Sequence, residues 1–139
     1  MSTQTCLEVV RKNKQKILDY VLKYLEYKGV VHKEIFVWKS RVAGTCRPNS
    51  DIDIYVQLDE KHRDLIEKQG SLWGDRKMFH ECSEDLKRLG LRVIDVVQEG
   101  KCKGDPITLD VGMGVLPYPP NPLKPEFEGK KWWMKLSEV

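Results

Sequence analysis

Between Ile35 and Leu58 two apolar runs, Ile35 to Trp38 and Asp51 to Leu58, flank a turn marked by Gly44, Pro48 and Asn49. Ile, Val, Phe, Trp and Tyr favour strands, so the segment predicts a pair of short strands and a sheet to hold them. A strand sends alternate side chains to opposite faces, which puts Asp51 and Asp53 on one side about 7 Å apart and Ile52, Ile54 and Val56 on the other. Two carboxylates fixed that close disfavour joint ionisation. A hard divalent cation removes the conflict, and magnesium fills its remaining octahedral positions with water and phosphate oxygen. An Asp-x-Asp by itself also suits an exposed strand that carries acids against edge pairing.

The residues in front of the acids narrow the choice. Ser40, Arg41, Gly44, Thr45, Arg47, Pro48 and Ser50, followed by Asp51 and Asp53, resemble the signature of the DNA polymerase β-like nucleotidyltransferases. In that family a Gly-Ser pair, a turn and an Asp-x-Asp strand follow in this order, and the likeness is nearest to the minimal, single-domain members. The resemblance implies an α/β (α+β) fold with a small mixed or antiparallel sheet, helices packed on it and the carboxylates at one exposed face. It also implies transfer of a nucleoside monophosphate from a nucleoside triphosphate to an acceptor hydroxyl by a two-metal mechanism, with Mg2+ or alternatively Mn2+. Asp51 and Asp53 are then metal ligands on the triphosphate, and Ser40, Ser50 and the turn amides hold phosphates. Lys39 or Arg41 neutralises charge. The family's third carboxylate lies on a later strand, and Ile94 to Val97 resembles its setting, so Asp95 is assigned as third ligand and candidate proton acceptor.

One position departs from the family pattern. Its glycine falls on Lys39, and glycine lets backbone approach a phosphate because it lacks a Cβ. A lysine there either supplies a point charge to the triphosphate or closes the pocket with its bulk. The second outcome describes a catalytically silent binding subunit, like the antitoxin-type members that accompany a small helical protein. Partners expected from the resemblance are therefore a nucleoside triphosphate, an acceptor of protein, nucleic-acid or small-molecule type, and a helical partner or a second copy.

A chain of 139 residues with 24 basic and 21 acidic side chains predicts one soluble domain with a core of its own. Its small positive excess suits an anionic substrate without demanding one. The sequence offers no apolar run near the roughly 20 residues that span a bilayer and no signal-peptide core at its polar start, so a cytoplasmic location is expected. Cys6, Cys46, Cys82 and Cys102 are scattered without a Cys-x-x-Cys pair, a spacing that supports neither a zinc site nor a disulfide framework. Cys46 reads as a small filler in the turn, and His80 with Cys82 lacks a second ligand pair.

Thr5 to Lys28 predicts a long helix, opened by Thr5 and Glu8 as a capping box and stopped at Gly29, with Leu18, Val21, Leu22 and Leu25 as its core stripe. Helices are also expected over Asp59 to Gln69 and Asp75 to Leu89. Leu91 to Gln98 reads as a strand with Asp95 among apolar residues, where an unpaired ion is costly. Ile107 to Val111 reads as its neighbour through a turn at Gly100 to Gly104, with Asp110 on a water-facing side. The composition shifts after Leu116 to five closely spaced prolines and ends in Lys130, Lys131, Trp132, Trp133 and Lys135. Residues 1–116 are thus expected as the nucleotidyltransferase domain and 117–139 as an extended arm without regular structure, its tryptophans docked on the domain or on a second subunit, with stacking on single-stranded nucleic acid as the alternative.

Overall fold

In a computed structural model the chain is described over residues 3–47, 50–67, 75–77, 91–92, 107–119, 127 and 129–139. Two helices lead: α1 (Thr3–Lys12) and α2 (Lys14–Lys28). The long helix expected from Thr5 is broken at Asn13, whose amide donates to the carbonyls of Val9 and Val10 while its side-chain Nδ2 also donates to the Val9 carbonyl. A side chain that bonds back to the preceding turn competes with the helical ladder. Thr5 lies inside α1, so it does not cap it. Gly29 does stop α2, at φ 69°, where its amide donates to the Glu26 and Leu25 carbonyls; a left-handed residue at this point costs glycine little.

The strands are β1 (His32–Trp38), β2 (Ile52–Leu58), β3 (Asp75–Lys77), β4 (Leu91–Arg92), β5 (Ile107–Gly114) and β6 (Trp133–Lys135). Their order is β3-β5-β2-β1-β6, with β4 also on β5. β1 runs antiparallel to β2 and β6, β5 runs parallel to β2, and β3 antiparallel to β5. The expected α/β class with a small mixed sheet is what forms. Between β1 and β2 the turn includes one short helix, α3 (Ser40–Ala43), and after β2 a 3-10 turn (Glu60–His62) leads into α4 (Arg63–Glu67). Asp59 accepts the Lys61 amide at 3.0 Å and so opens that turn.

Three local expectations change. Asp75–Lys77 is strand, not helix, and the rest of the helix expected to Leu89 lies outside the described residues, with Asp95, His80 and Cys82. β4 meets β5 in parallel, whereas a turn at Gly100 to Gly104 would pair them antiparallel. The arm ends in regular structure: β6 adds to the edge of β1, and a 3-10 turn (Leu136–Glu138) follows. The composition of an arm rich in proline obscures this, because the edge-pairing residues Trp133–Lys135 lie in the proline-free stretch after Pro125.

Period two divides the sheet into two unlike faces. Ile52, Ile54, Val56 and Leu58 join Leu109, Val111, Met113 and Val115 in a core with Ile17, Val21, Tyr24 and Leu25 of α2 and Leu7 and Val10 of α1. The helix stripe is therefore turned from the one expected, with Leu22 38% exposed and Ile17 fully buried. On the other face Phe36, Trp38 and Tyr55 are covered by Leu116, Trp132 and Trp133. Trp133 meets Phe36 edge-on at 5.6 Å, and Trp132 lies 6.1 Å from Trp38, ring separations in the favourable range. Of the two docking surfaces expected, the tryptophans take their own sheet. Tyr55 is enclosed and donates its hydroxyl to the Leu116 carbonyl at 2.9 Å, and burial pushes its phenol above the ordinary value.

A disulfide links Cys6 to Cys46 across 40 positions, against the expectation of unpaired cysteines. Cysteines that far apart leave no spacing signal. By restricting the unfolded chain, a cross-link closing a loop of that length contributes about 4 kcal/mol.

Candidate metal centre

Three carboxylates converge where β1, β2 and β5 lie side by side. Asp53 of β2 sits in register with Trp38 on one side and Asp110 of β5 on the other. Asp51 stands just before β2 and is exposed, whereas Asp53 and Asp110 are 8% and 7% exposed. One oxygen of each lies within 4.8 Å of the other two. Opposite ligands of an octahedral ion with bonds of about 2.1 Å stand about 4 Å apart, so three hard oxygen donors at this spread suit a small divalent cation. The acidic trio could bind a metal ion.

Asp110 was expected to face water. It is instead buried, in register with Asp53 of the neighbouring strand and hydrogen-bonded to it. Asp95, the assigned third ligand, lies outside the described residues, and Asp110 is the acid brought to Asp51 and Asp53. The alternation over Ile107 to Val111 sets Asp110 on the side opposite Ile107, Leu109 and Val111, so it carried no signal that this acid is covered.

Electrostatics mark Asp53 as the costly member. Burial pushes its carboxyl well above the usual carboxylate range, Lys39 pulls it down, and Asp110 and Asp51 push it up further. Its hydrogen bond with Asp110 favours the protonated form of Asp53. A buried acid held this way needs a proton or a cation.

Lys39 supplies one positive charge. Its Nζ stands 4.3 Å from the centroid of the Trp38 ring, within range of a cation–π contact. Its backbone is unusual: at φ 69° and ψ −142° it is the only non-glycine among the described residues with positive φ. This is the position where the family resemblance expects glycine, and the conformation is one that a Cβ opposes. The Lys39 amide donates to the Trp132 carbonyl at 2.7 Å, and its carbonyl accepts from the Val42 and Ala43 amides, so the arm and α3 together hold the strained residue in place. Lys39→Gly should therefore melt above Lys39→Ala by about 3 °C. Both lose the ammonium, but only alanine keeps the strained Cβ, reversing the usual order in which glycine is the less stable of the two. Thermal denaturation of the pair checks this, and an alanine variant at or above the glycine one would remove the strain.

The other predicted nucleotide-site residues are largely occupied with the turn itself. Arg41 is 2% exposed. Its Nη2 and Nε donate to the Ser50 carbonyl at 2.6 and 3.2 Å, and its Nη1 donates to the Cys6 carbonyl at 2.9 Å. Burial lowers its pKa while Asp53 and Asp51 raise it, and a guanidinium keeps its charge under such opposing influences. The Ser50 hydroxyl accepts the Arg47 amide at 2.7 Å, and the Ser50 amide donates back to the Arg47 carbonyl. Ser40, half-buried, opens α3 and its carbonyl accepts the Gly44 and Thr45 amides. The Thr45 hydroxyl is buried without a hydrogen-bond partner.

No family model, no curated protein and no solved structure matches this chain. No helix among the described residues is long and apolar enough to cross a membrane.

Proposed function

We propose that this chain is a nucleotidyltransferase of the DNA polymerase β-like type, transferring a nucleoside monophosphate from a nucleoside triphosphate to an acceptor hydroxyl. The observation that carries the reading is the meeting of Asp51, Asp53 and Asp110 directly after a Ser40 to Ser50 turn of the family's kind. Mg2+, or Mn2+ in its place, held by these three acids would neutralise the triphosphate and lower the pKa of the acceptor hydroxyl. Asp53 and Asp51 orient the phosphates from one strand end, and Asp110 faces them from the neighbouring strand. The half-buried Ser40 at the start of α3 would add hydrogen-bonding capacity for the phosphates, and Lys39, which already pulls on Asp53, adds charge. Arg41 and Ser50 shape the turn. The triphosphate substrate favours a cytoplasmic site of action.

The experiment is Mn2+ titration followed by calorimetry with a nucleoside triphosphate. Asp53→Asn and Asp110→Asn should each weaken Mn2+ binding at least tenfold, with Asp95→Asn close to the parent. Unchanged affinity in Asp110→Asn would return the third position to Asp95, and no Mn2+ binding by the parent would end the reading.

A second reading is favoured by Lys39: an ammonium attracted to Asp53 supplies internally some of the charge a metal would bring. On that reading the chain is a silent binding subunit for a small helical partner. It requires that neither Mn2+ nor triphosphate bind, and that Lys39→Gly restore at least metal binding.

A further inference from the structure

The cross-link between α1 and the turn is tied through Arg41 to the residue preceding the acidic cluster. Cys6 and Cys46 are 0% and 4% exposed, and one guanidinium touches both halves of the bridge: Arg41 Nη1 donates to the Cys6 carbonyl at 2.9 Å and lies 3.9 Å from Cys46 Sγ. The other side of the same guanidinium holds the Ser50 carbonyl, one residue before Asp51, and is attracted by Asp51 and Asp53. The guanidinium therefore joins the bridge to the Ser50 carbonyl by hydrogen bonds and to Asp51 and Asp53 by charge. In a compartment where thiols are kept reduced, a protein disulfide is a transient, responsive bond more often than a permanent one.

We propose that Arg41 is a positioning residue that couples the Cys6–Cys46 bond to the acidic cluster, so that opening the bond weakens divalent-cation binding. This rests on reading Asp51, Asp53 and Asp110 as a cation site. Opening takes two electrons and two protons from a dithiol reductant, which closes to its own disulfide and leaves a thiol on Cys6 and on Cys46. Two thiols do not remain at bonding distance. Cys46 then moves relative to α1, the fork of Arg41 cannot keep both carbonyls, and the Ser50–Asp51 backbone loses its anchor. Lysine at 41 keeps the charge but has no fork to span the two carbonyls.

The test uses the full chain, oxidised, and then reduced with dithiothreitol that is removed without air before measurement. Free Mn2+ is counted by electron paramagnetic resonance, and amide exchange is followed by mass spectrometry. Reduction should raise the Mn2+ dissociation constant at least threefold, reversibly on reoxidation, and speed exchange over residues 44–51 while β1 and β2 stay protected. Cys6→Ser should match the reduced protein in either buffer. Arg41→Lys should bind Mn2+ more weakly and show no difference between redox states. Equal affinity in the two states of the parent, with an intact circular-dichroism spectrum, overturns the coupling and leaves the cation site standing. Loss of the spectrum on reduction makes the bond a plain staple and overturns the coupling as well. No Mn2+ binding in either state overturns both the coupling and the site.

Discussion

Asp53→Asn should melt higher than the parent protein in the absence of metal and should lose the parent's thermal response to divalent cations. The cause is the position of Asp53 on a covered face of the sheet, where burial and two neighbouring acids raise its pKa against the pull of Lys39. The folded protein then holds this proton more tightly than the unfolded chain does. From the ordinary carboxylate value of 3.8 upward, the unfolded state binds fewer protons, and stability falls as pH rises through the raised folded value. The metal-free parent is accordingly favoured on the acid side of that window. Asparagine carries no charge to desolvate, so its advantage should be small at pH 5 and roughly 3 °C or more at pH 8. Millimolar Mn2+ should raise the parent and leave Asp53→Asn unmoved, since a ligand of the native state alone stabilises it. Scanning both proteins at the two pH values with chelator and with Mn2+ checks each part. A variant that melts below the parent at pH 8 in chelator would contradict the burden assigned to Asp53.

The second large effect concerns the arm. Ending the chain before Trp132 should abolish cooperative unfolding or lower the melting temperature by more than about 10 °C. The cut removes β6, the buried Leu136, the covering rings over Phe36 and Trp38, and the carbonyl that accepts the Lys39 amide. Replacing only Leu136 by Ala should cost about 2–5 kcal/mol, against a total stability of about 5–15 kcal/mol for such a domain. Circular dichroism on heating distinguishes a cooperative transition from a gradual one. A truncated chain that melted like the parent would reduce β6 to an ornament on the sheet edge.

Local pattern made some of this legible. Alternation between Asp51 and Leu58 announces both the strand and the shared face of two acids, because a strand's period acts within a few residues. Gly29 ends α2 for an equally local reason. What escaped depends on remote chain. Asp110 is buried beside Asp53 of the neighbouring strand, and alternation along β5 cannot tell a covered face from a wet one. Cys6 finds Cys46 through tertiary approach, with no motif to advertise it. Asn13 carries a break that helix periodicity ignores, since apolar residues continue on both sides. Lys39 shows the reverse case: its mismatch with the glycine of the resembling family was visible in the sequence, and the glycine-like backbone explains why the mismatch is costly.

The parallel register of β2 and β5 has a consequence for the order in which the molecule is made. β1 and β2 can pair across a short connection, but Asp53 and Asp110 adjoin only after a long loop has closed, and non-local pairings of this kind are slow to form. The acids therefore meet as a late event of assembly. Asp51 and Asp53 are neighbours from the start, and the third acid joins them only when β5 pairs with β2.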